Sequence, residues 1–423
     1  MKILLLNQCF YPDVVSTAQH LTDLAVALSG QGHKVTVIAS RRGYDNPEVR
    51  FPAHEVWRNI EIIRIPSLGL GKKAKWRRAI DFGSFLLSCI YRLLLLPKFD
   101  IVVALTSPPL ISFLGALFVR LKGGVFAFWV MDLNPDEAIA AGWLKESSLV
   151  SRGLQKLLQY SLHQARKIIV LDRFMKERIL AKGIAEQKLV VLPPWSHSDE
   201  VRFDEQGRTA FRAEHKLTNK LVVMYSGNHS PCHPLDTLLE AAERLATHEE
   251  IHFCFVGGGS EFTKVRHFVS AHGLENVTCL PYQPLEKLAG SLSAADMHAV
   301  VMGDRFTGIV HPCKIYNILA IGAPVLYIGP SESHITDVVS QRDDSIASSA
   351  RHGEVDNVVR HILNRARMAS VAAKVSNPES VALSVAFAKE QLLPRMIEAL
   401  EALAEPGNDL TAAESADINV PSV

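Results

Sequence analysis

Short β-branched and aliphatic runs alternate with amphipathic stretches along nearly the whole chain. In the first half, residues 2–7, 34–40, 61–66, 100–106, 125–132, 167–172 and 188–193 read as strands. Residues 17–28, 109–121, 149–165 and 173–181 show the helical spacing of apolar positions. Strands this uniformly apolar, separated by helices, predict a parallel sheet covered on both faces. The pattern then restarts. Strands are expected at 221–226, 251–256, 277–281, 297–302 and 324–328, with helices at 235–246, 262–271, 285–292 and 313–321.

Between the two series a polar stretch opens on Pro193-Pro194-Trp195 and runs to about Lys220. Two Rossmann-like, doubly wound α/β units in series are the expected architecture, with ligands bound at the carboxyl ends of the strands in an interdomain cleft. The first domain is placed at 1–198 and the second at 199–380. Residues 381–403 read as closing helices packing back on the first domain, broken or kinked at Pro394. The stretch 404–423 is small, polar and acidic, the composition of a disordered tail.

A length of 423 residues suits two domains plus a tail. A net charge of +1 argues against a nucleic-acid partner, which would call for a clear basic excess. Six cysteines without CxxC spacing point to reduced thiols in the cytoplasm. The apolar start at residues 1–7 is too short for a signal peptide. The stretch 86–96 is interrupted by Arg92 and falls short of the roughly twenty residues a span requires. A soluble protein is expected, at most peripheral on the inner face of the plasma membrane.

Just before that stretch, Lys72, Lys73, Lys75, Arg77 and Arg78 surround Trp76. Cations beside an interfacial aromatic and an apolar helix suit an anionic membrane surface. The alternative is a solvated loop leading into a buried helix.

Candidate chemistry gathers in strand-end loops. After the first strand, the loop from Gln8 enters a helix at Ser16-Thr17, where either hydroxyl would cap the helix and free amides favour an anion. No GxGxxG fingerprint follows that strand, which disfavours a nicotinamide dehydrogenase. From Trp129 to Glu137 a strand runs into an acidic, proline-broken loop. Asp132, read at the strand end, would orient a hydroxyl or accept its proton, whereas Asp136 and Glu137 also suit a solvated helix start.

In the second half, a strand enters Ser226-Gly227-Asn228-His229, and a helix starts near Pro234. Such a loop would cradle a diphosphate, with His229 and His233 donating to phosphate oxygens. These histidines lack a nearby third ligand, so a metal site has little support. Further on, Lys314 follows His311-Pro312-Cys313 in the first turn of a short helix, where the helix dipole disfavours a cation. A bound diphosphate would resolve that conflict; a lysine snorkelling to the surface is the alternative.

Taken together, the opening loop, Asp132 to Asp136, Ser226-Gly227-Asn228, Val256-Gly257-Gly258-Gly259, Pro312 to Asn317 and Gly322-Ala323-Pro324-Val325 resemble a family 4 glycosyltransferase. Within that family the chain is similar to bacterial enzymes that build surface polysaccharide and O-antigen. The resemblance runs in order over about residues 1–400. It implies a GT-B fold and retaining transfer from a nucleotide sugar, often UDP-linked, to a lipid-linked or oligosaccharide acceptor, with no metal and no cofactor. It places Gly227, Asn228, His233 and Lys314 on the diphosphate, Gly257 and Tyr282 near the nucleobase, and His311, Pro312 and Asn317 beside the donor. Asp132, Lys314 and His229 become the catalytic candidates, with Ser16, Thr17 and Asp136 on the acceptor side.

The family commonly carries two glutamates eight residues apart where this chain has Ile309 and Asn317. Asn317 retains the capacity to bond a ribose hydroxyl; Ile309 cannot replace a carboxylate. Two alternatives therefore stay open. One is a GT-B sugar-nucleotide epimerase or hydrolase, and the other a non-catalytic partner in a polysaccharide assembly complex.

Overall fold

The computed structural model describes residues 1–44, 46, 48–69, 75–196, 201–339, 346–369 and 376–404; for Lys75, Trp76, Arg78, Ala79 and Ala369 it describes the backbone alone. The first part of the basic run, residues 71–74, and the expected tail from 405 onward lie outside the described residues. Two compact units emerge. One runs from Met1 to Pro194 and is completed by residues 392–404; the other runs from Trp195 to Gln391.

The first unit contains β1 (Lys2–Leu6), α1 (Ser16–Gly30), β2 (Lys34–Ser40), β3 (His54–Trp57), β4 (Ile60–Ile65), α2 (Lys75–Leu95) and β5 (Ile101–Ala104). It continues with α3 (Ile111–Lys122), β6 (Val125–Trp129), α4 (Asp136–Ala140), α5 (Leu149–Gln164), β7 (Lys167–Val170), α6 (Arg173–Leu180) and β8 (Leu189–Val191). Its sheet has the order β3-β4-β2-β1-β5-β6-β7-β8, parallel throughout except at β3–β4. Ile3, Leu4, Leu5 and Leu6 are completely buried, as expected of a central strand covered on both faces. The order reverses between β1 and β5, and there the following loops meet, with Gln8 N donating to Ser107 O at 2.6 Å.

The second unit contains α7 (Glu205–Glu214), β9 (Leu221–Asn228), α8 (Asp236–Arg244), β10 (Ile251–Gly258), α9 (Phe262–Ala271), β11 (Val277–Leu280) and α10 (Leu288–Ser293). Then come β12 (Met297–Val301), α11 (Lys314–Ala320), β13 (Val325–Ile328), α12 (His334–Val339), β14 (Ala347–Ala350), α13 (Val355–Ala369) and α14 (Pro378–Ser384). Helix α15 (Lys389–Glu401) closes the described chain. The second sheet is parallel, in the order β11-β10-β9-β12-β13-β14, and its reversal falls between β9 and β12.

Several expectations need correction. Strands β3 and β14 were not anticipated, because β3 leaves one side open, with Val56 68 % exposed, and so lacks the apolar run of a buried strand. The polar stretch between the two series, for which no element was expected, contains α7, whose arginines are neutralised internally. Arg208 and Arg212 converge on the Asp296 carboxylate at 2.7 and 3.0 Å and donate to carbonyls around α10. At the C-terminus the helical run breaks in the turn Val385–Phe387, not at Pro394, which lies inside α15. Proline there deprives the Glu390 carbonyl of its helical partner but does not end the helix. Among the described residues no helix is long and apolar enough to cross a membrane.

Candidate functional site

The reversal point of the second sheet is built from glycine. Gly227 and Asn228 end β9 in register with Gly257 and Gly258 of β10. Gly227, Gly257 and Gly259 all have φ near +130°, at +132°, +134° and +132°, a region costly for any side chain. A Cβ on Gly257 would fall on the Gly227 carbonyl oxygen, and one on Gly259 on the His229 carbonyl oxygen. The two strand ends therefore lie backbone to backbone, with the Tyr225 hydroxyl donating to the Asn228 carbonyl at 2.7 Å.

Lys314, the first residue of α11, reaches into this loop. Its Nζ lies 3.6 Å from the centre of the Tyr225 ring and 3.1 Å from where a Gly227 Cβ would stand. The ammonium is buried and has no hydrogen-bond partner among the described residues. Burial lowers its pKa to about 7, because a charge removed from water without a partner is costly. Such a group is set to receive an anion. The snorkelling alternative fails, since the amine points inward.

The histidines differ from expectation. His229 Nδ1 lies 3.0 Å from the Gly227 carbonyl and His233 Nδ1 2.8 Å from the Val301 carbonyl. A carbonyl only accepts, so each Nδ1 carries the hydrogen and each neutral ring keeps a bare Nε2. Burial, then the nearby Lys314 ammonium, lowers His229 to about 4 and His233 to about 3. Both are neutral near pH 7 and cannot donate from Nε2 to a phosphate oxygen. His229 is fully buried, its ring edge-on between Tyr225 and Phe262 with centroids 4.8 Å from each. It stands as a buried support for the loop, its ring closed off from solvent.

The Tyr282 hydroxyl donates to Gly258 O at 3.3 Å, and its ring stays half exposed beside the β10 end. His311 is buried and turned onto the Tyr316 hydroxyl, 2.7 Å from Nε2, with its ring stacked on His334. Pro312 is likewise buried, so both shape the loop before α11; Asn317 is half-buried on that helix. The Ile309 side chain is buried.

In the first unit, Val15 occupies the N-cap of α1 without a side-chain bond, so neither Ser16 nor Thr17 caps the helix. Ser16 Oγ lies 3.3 Å from His20 Nδ1, and Thr17 is half-buried. Asp136 is engaged by Lys182 Nζ at 2.8 Å and Gln155 Nε2 at 3.2 Å, which ties α4 to α5. Asp132 stands three residues beyond the end of β6. Burial, then the Glu137 carboxylate, holds its pKa well above the usual carboxylate range. The structure thus gathers Gly227, His229, His233 and Lys314 in one cluster, with Asn228, Gly257 and Tyr282 beside it.

A family model described as "Glycosyl transferase 4-like domain" matches residues 17–195, and one described as "Glycosyl transferases group 1" matches residues 207–330. The chain belongs to the family 4 glycosyltransferases of the GT-B fold. It is 26 % identical to WcaI of Escherichia coli, named as a colanic acid biosynthesis glycosyl transferase, over 337 residues, 76 % of this chain and 82 % of that one. Sucrose-phosphate synthase from Thermosynechococcus elongatus superposes with a TM-score of 0.73 at 15 % identity, covering 95 % of this chain and 99 % of that one. Anabaena HepE in complex with UDP and glucose gives 0.72 at 14 %, covering 95 % and 100 %. At such identities the two superpositions speak for the fold alone.

Sequence reasoning missed two residues of this glycosyltransferase, Tyr225 and Phe262. Tyr225 reads as one more apolar strand position, yet its ring is the surface on which the ammonium rests. Its place two residues before Gly227 was the available signal.

Proposed function

We propose that this glycosyltransferase moves a sugar from a UDP-linked donor to a hydroxyl of a lipid-linked or oligosaccharide acceptor in cell-surface polysaccharide synthesis. Anomeric configuration is retained, and neither metal nor cofactor takes part. The observation that carries this reading is the buried, unpartnered Lys314 ammonium against Gly227 at the reversal point of the second sheet. A diphosphate supplies the missing partner, and Lys314 then stabilises charge developing on the leaving group. The half-exposed Tyr282 ring offers a face for the nucleobase and Asn317 a bond for the ribose. Asp132 holds the acceptor hydroxyl. Kinship with WcaI supports the polysaccharide setting, and HepE, crystallised with UDP and glucose, supports the donor class.

Calorimetry with a panel of nucleotide sugars tests the donor assignment. Binding of UDP-sugars by the wild type, lost in Lys314→Ala, is expected; equal affinity in the two proteins overturns it. Product analysis with and without acceptor then separates transfer from hydrolysis or epimerisation, since only a transferase needs the acceptor for turnover.

A further inference from the structure

Helix α2 buries Phe85, Cys89 and Leu93 along one side. At about 100° per residue, Ile80, Leu87, Tyr91 and Leu94 lie on the opposite side. These outward side chains are large and open. Leu87 is 70 % exposed and Tyr91 68 %, while Leu95 beside them is 61 % and Leu94 58 %. A helix apolar on both sides is ordinarily enclosed. This one is not.

The end of α3 extends the patch. Leu121 is exposed there, and Lys122 Nζ donates to the Leu94 carbonyl at 3.1 Å. A groove of about 640 Å³ lies alongside, lined by Ile63, Ile65, Pro66, Leu87, Tyr91 and Arg92 among others. The buried Arg92 Nε lacks a hydrogen-bond partner among the described residues. Exposed Lys98, Arg120 and Lys122 stand at the same end as the apolar face, and exposed Arg77 lies in the first turn of α2. Of the local acids, Asp81 is half-buried and Asp100 accepts from the Lys2 backbone N–H.

We infer that the outward face of α2 from Leu87 to Leu95, continued by Leu121, docks on an anionic lipid bilayer. Apolar side chains enter the interface while the surrounding cations meet headgroup phosphates. A second copy of the chain fits less well, because a two-fold interface would bring the same cations face to face. This surface deepens the reading of a lipid-linked acceptor and rests on it only for its purpose. The expected contact was the basic run at residues 72–78 together with the apolar helix after it; the described residues locate its apolar part on the second half of that helix.

The test is co-sedimentation of the full chain with vesicles of phosphatidylglycerol and phosphatidylcholine, against phosphatidylcholine alone. The wild type should bind the anionic vesicles, and less at high salt. Combining Leu87→Ser, Tyr91→Ser, Leu94→Ser and Leu95→Ser should lower the bound fraction about tenfold or more. The melting temperature and nucleotide-sugar affinity of that variant should stay at wild-type values. The triple change Lys98→Glu, Arg120→Glu and Lys122→Glu should remove the preference for anionic lipid. Undiminished vesicle binding by the serine variant overturns the inference. So does a wild-type dimer in solution that the serine variant dissociates. Because donor binding is read separately, failure here leaves the transferase reading standing, and the converse also holds.

Discussion

Lys314 and Tyr225 form a contact in which the ammonium lies 3.6 Å from the ring centre. The ring face is electron-rich and returns part of what the cation loses on leaving water. It claims none of the amine's hydrogens. The pocket therefore holds a positive charge without spending its donors, a useful state for a group awaiting a phosphate oxygen.

Lys314→Ala should lower transfer by two orders of magnitude or more, on the order of the loss of one preorganised charge partner. Lys314→Arg should not restore it, since a forked guanidinium is bulkier than an ammonium packed this close to Gly227. Initial rates with saturating acceptor read both variants. Full activity in either alanine or arginine would remove the ammonium from the mechanism.

The same lysine should burden the unliganded fold. Its pKa is 10.5 when exposed and about 7 in the folded chain, so the unfolded state binds more protons between those values. Stability of the wild type should therefore rise as pH climbs from 7 toward 10.5. Below pH 7 the buried charge exacts its full cost. Lys314→Met should then be more stable by about 1–3 kcal/mol at pH 6 while losing donor affinity. Denaturant melts of both proteins across that range would show the gap closing as pH rises; a constant gap would refute it.

The glycines should divide sharply. Gly227→Ala combines a φ of +132° with a tight contact against the lysine amine, and should cost roughly 1–3 kcal/mol and weaken donor binding. Gly259→Ala should be worse, because the new carbon meets backbone. Gly83, inside α2 with nothing within 4 Å, is the control: alanine there should be neutral or stabilising by up to about 1 kcal/mol. Thermal melts and calorimetry on the three variants would rank them.

His229 offers a test of support against catalysis. His229→Asn can still donate to the Gly227 carbonyl and should keep most activity, with an unchanged pH profile between 5 and 8. His229→Phe fills the aromatic space but strands that carbonyl, costing about 1–3 kcal/mol. A kcat that collapses in the asparagine variant, with its fold intact, would restore the catalytic reading.

The sheets were legible because their strands are buried on both faces, and continuous apolar runs such as Ile3–Leu6 have no other reading. Edge strand β3 was not, because one side of it is open and it lacks a continuous apolar run, and the charged helix α7 was not, because its arginines are satisfied by a partner far away in sequence. Arg208 and Arg212 look like solvent charges until Asp296, more than eighty positions later, is placed beside them. The site was half legible. Lys314 stood out as a cation at the wrong end of a helix, and the glycines as a loop requiring backbone alone. The histidines misled because residue type does not disclose which ring nitrogen a carbonyl will occupy. The pairing of Asp136 with Lys182 was not legible because the lysine comes from another part of the chain.

The first unit is not a contiguous stretch of the gene. Residues 392–404 complete it, burying Leu392, Met396, Ile397 and Leu400, with Glu401 Oε1 2.7 Å from His33 Nε2. While the ribosome is still reading the second unit, the first must wait with that apolar seat unfilled, so amino-terminal folding ahead of the rest is incomplete by design. Cutting the chain at Pro194 would make that waiting state permanent.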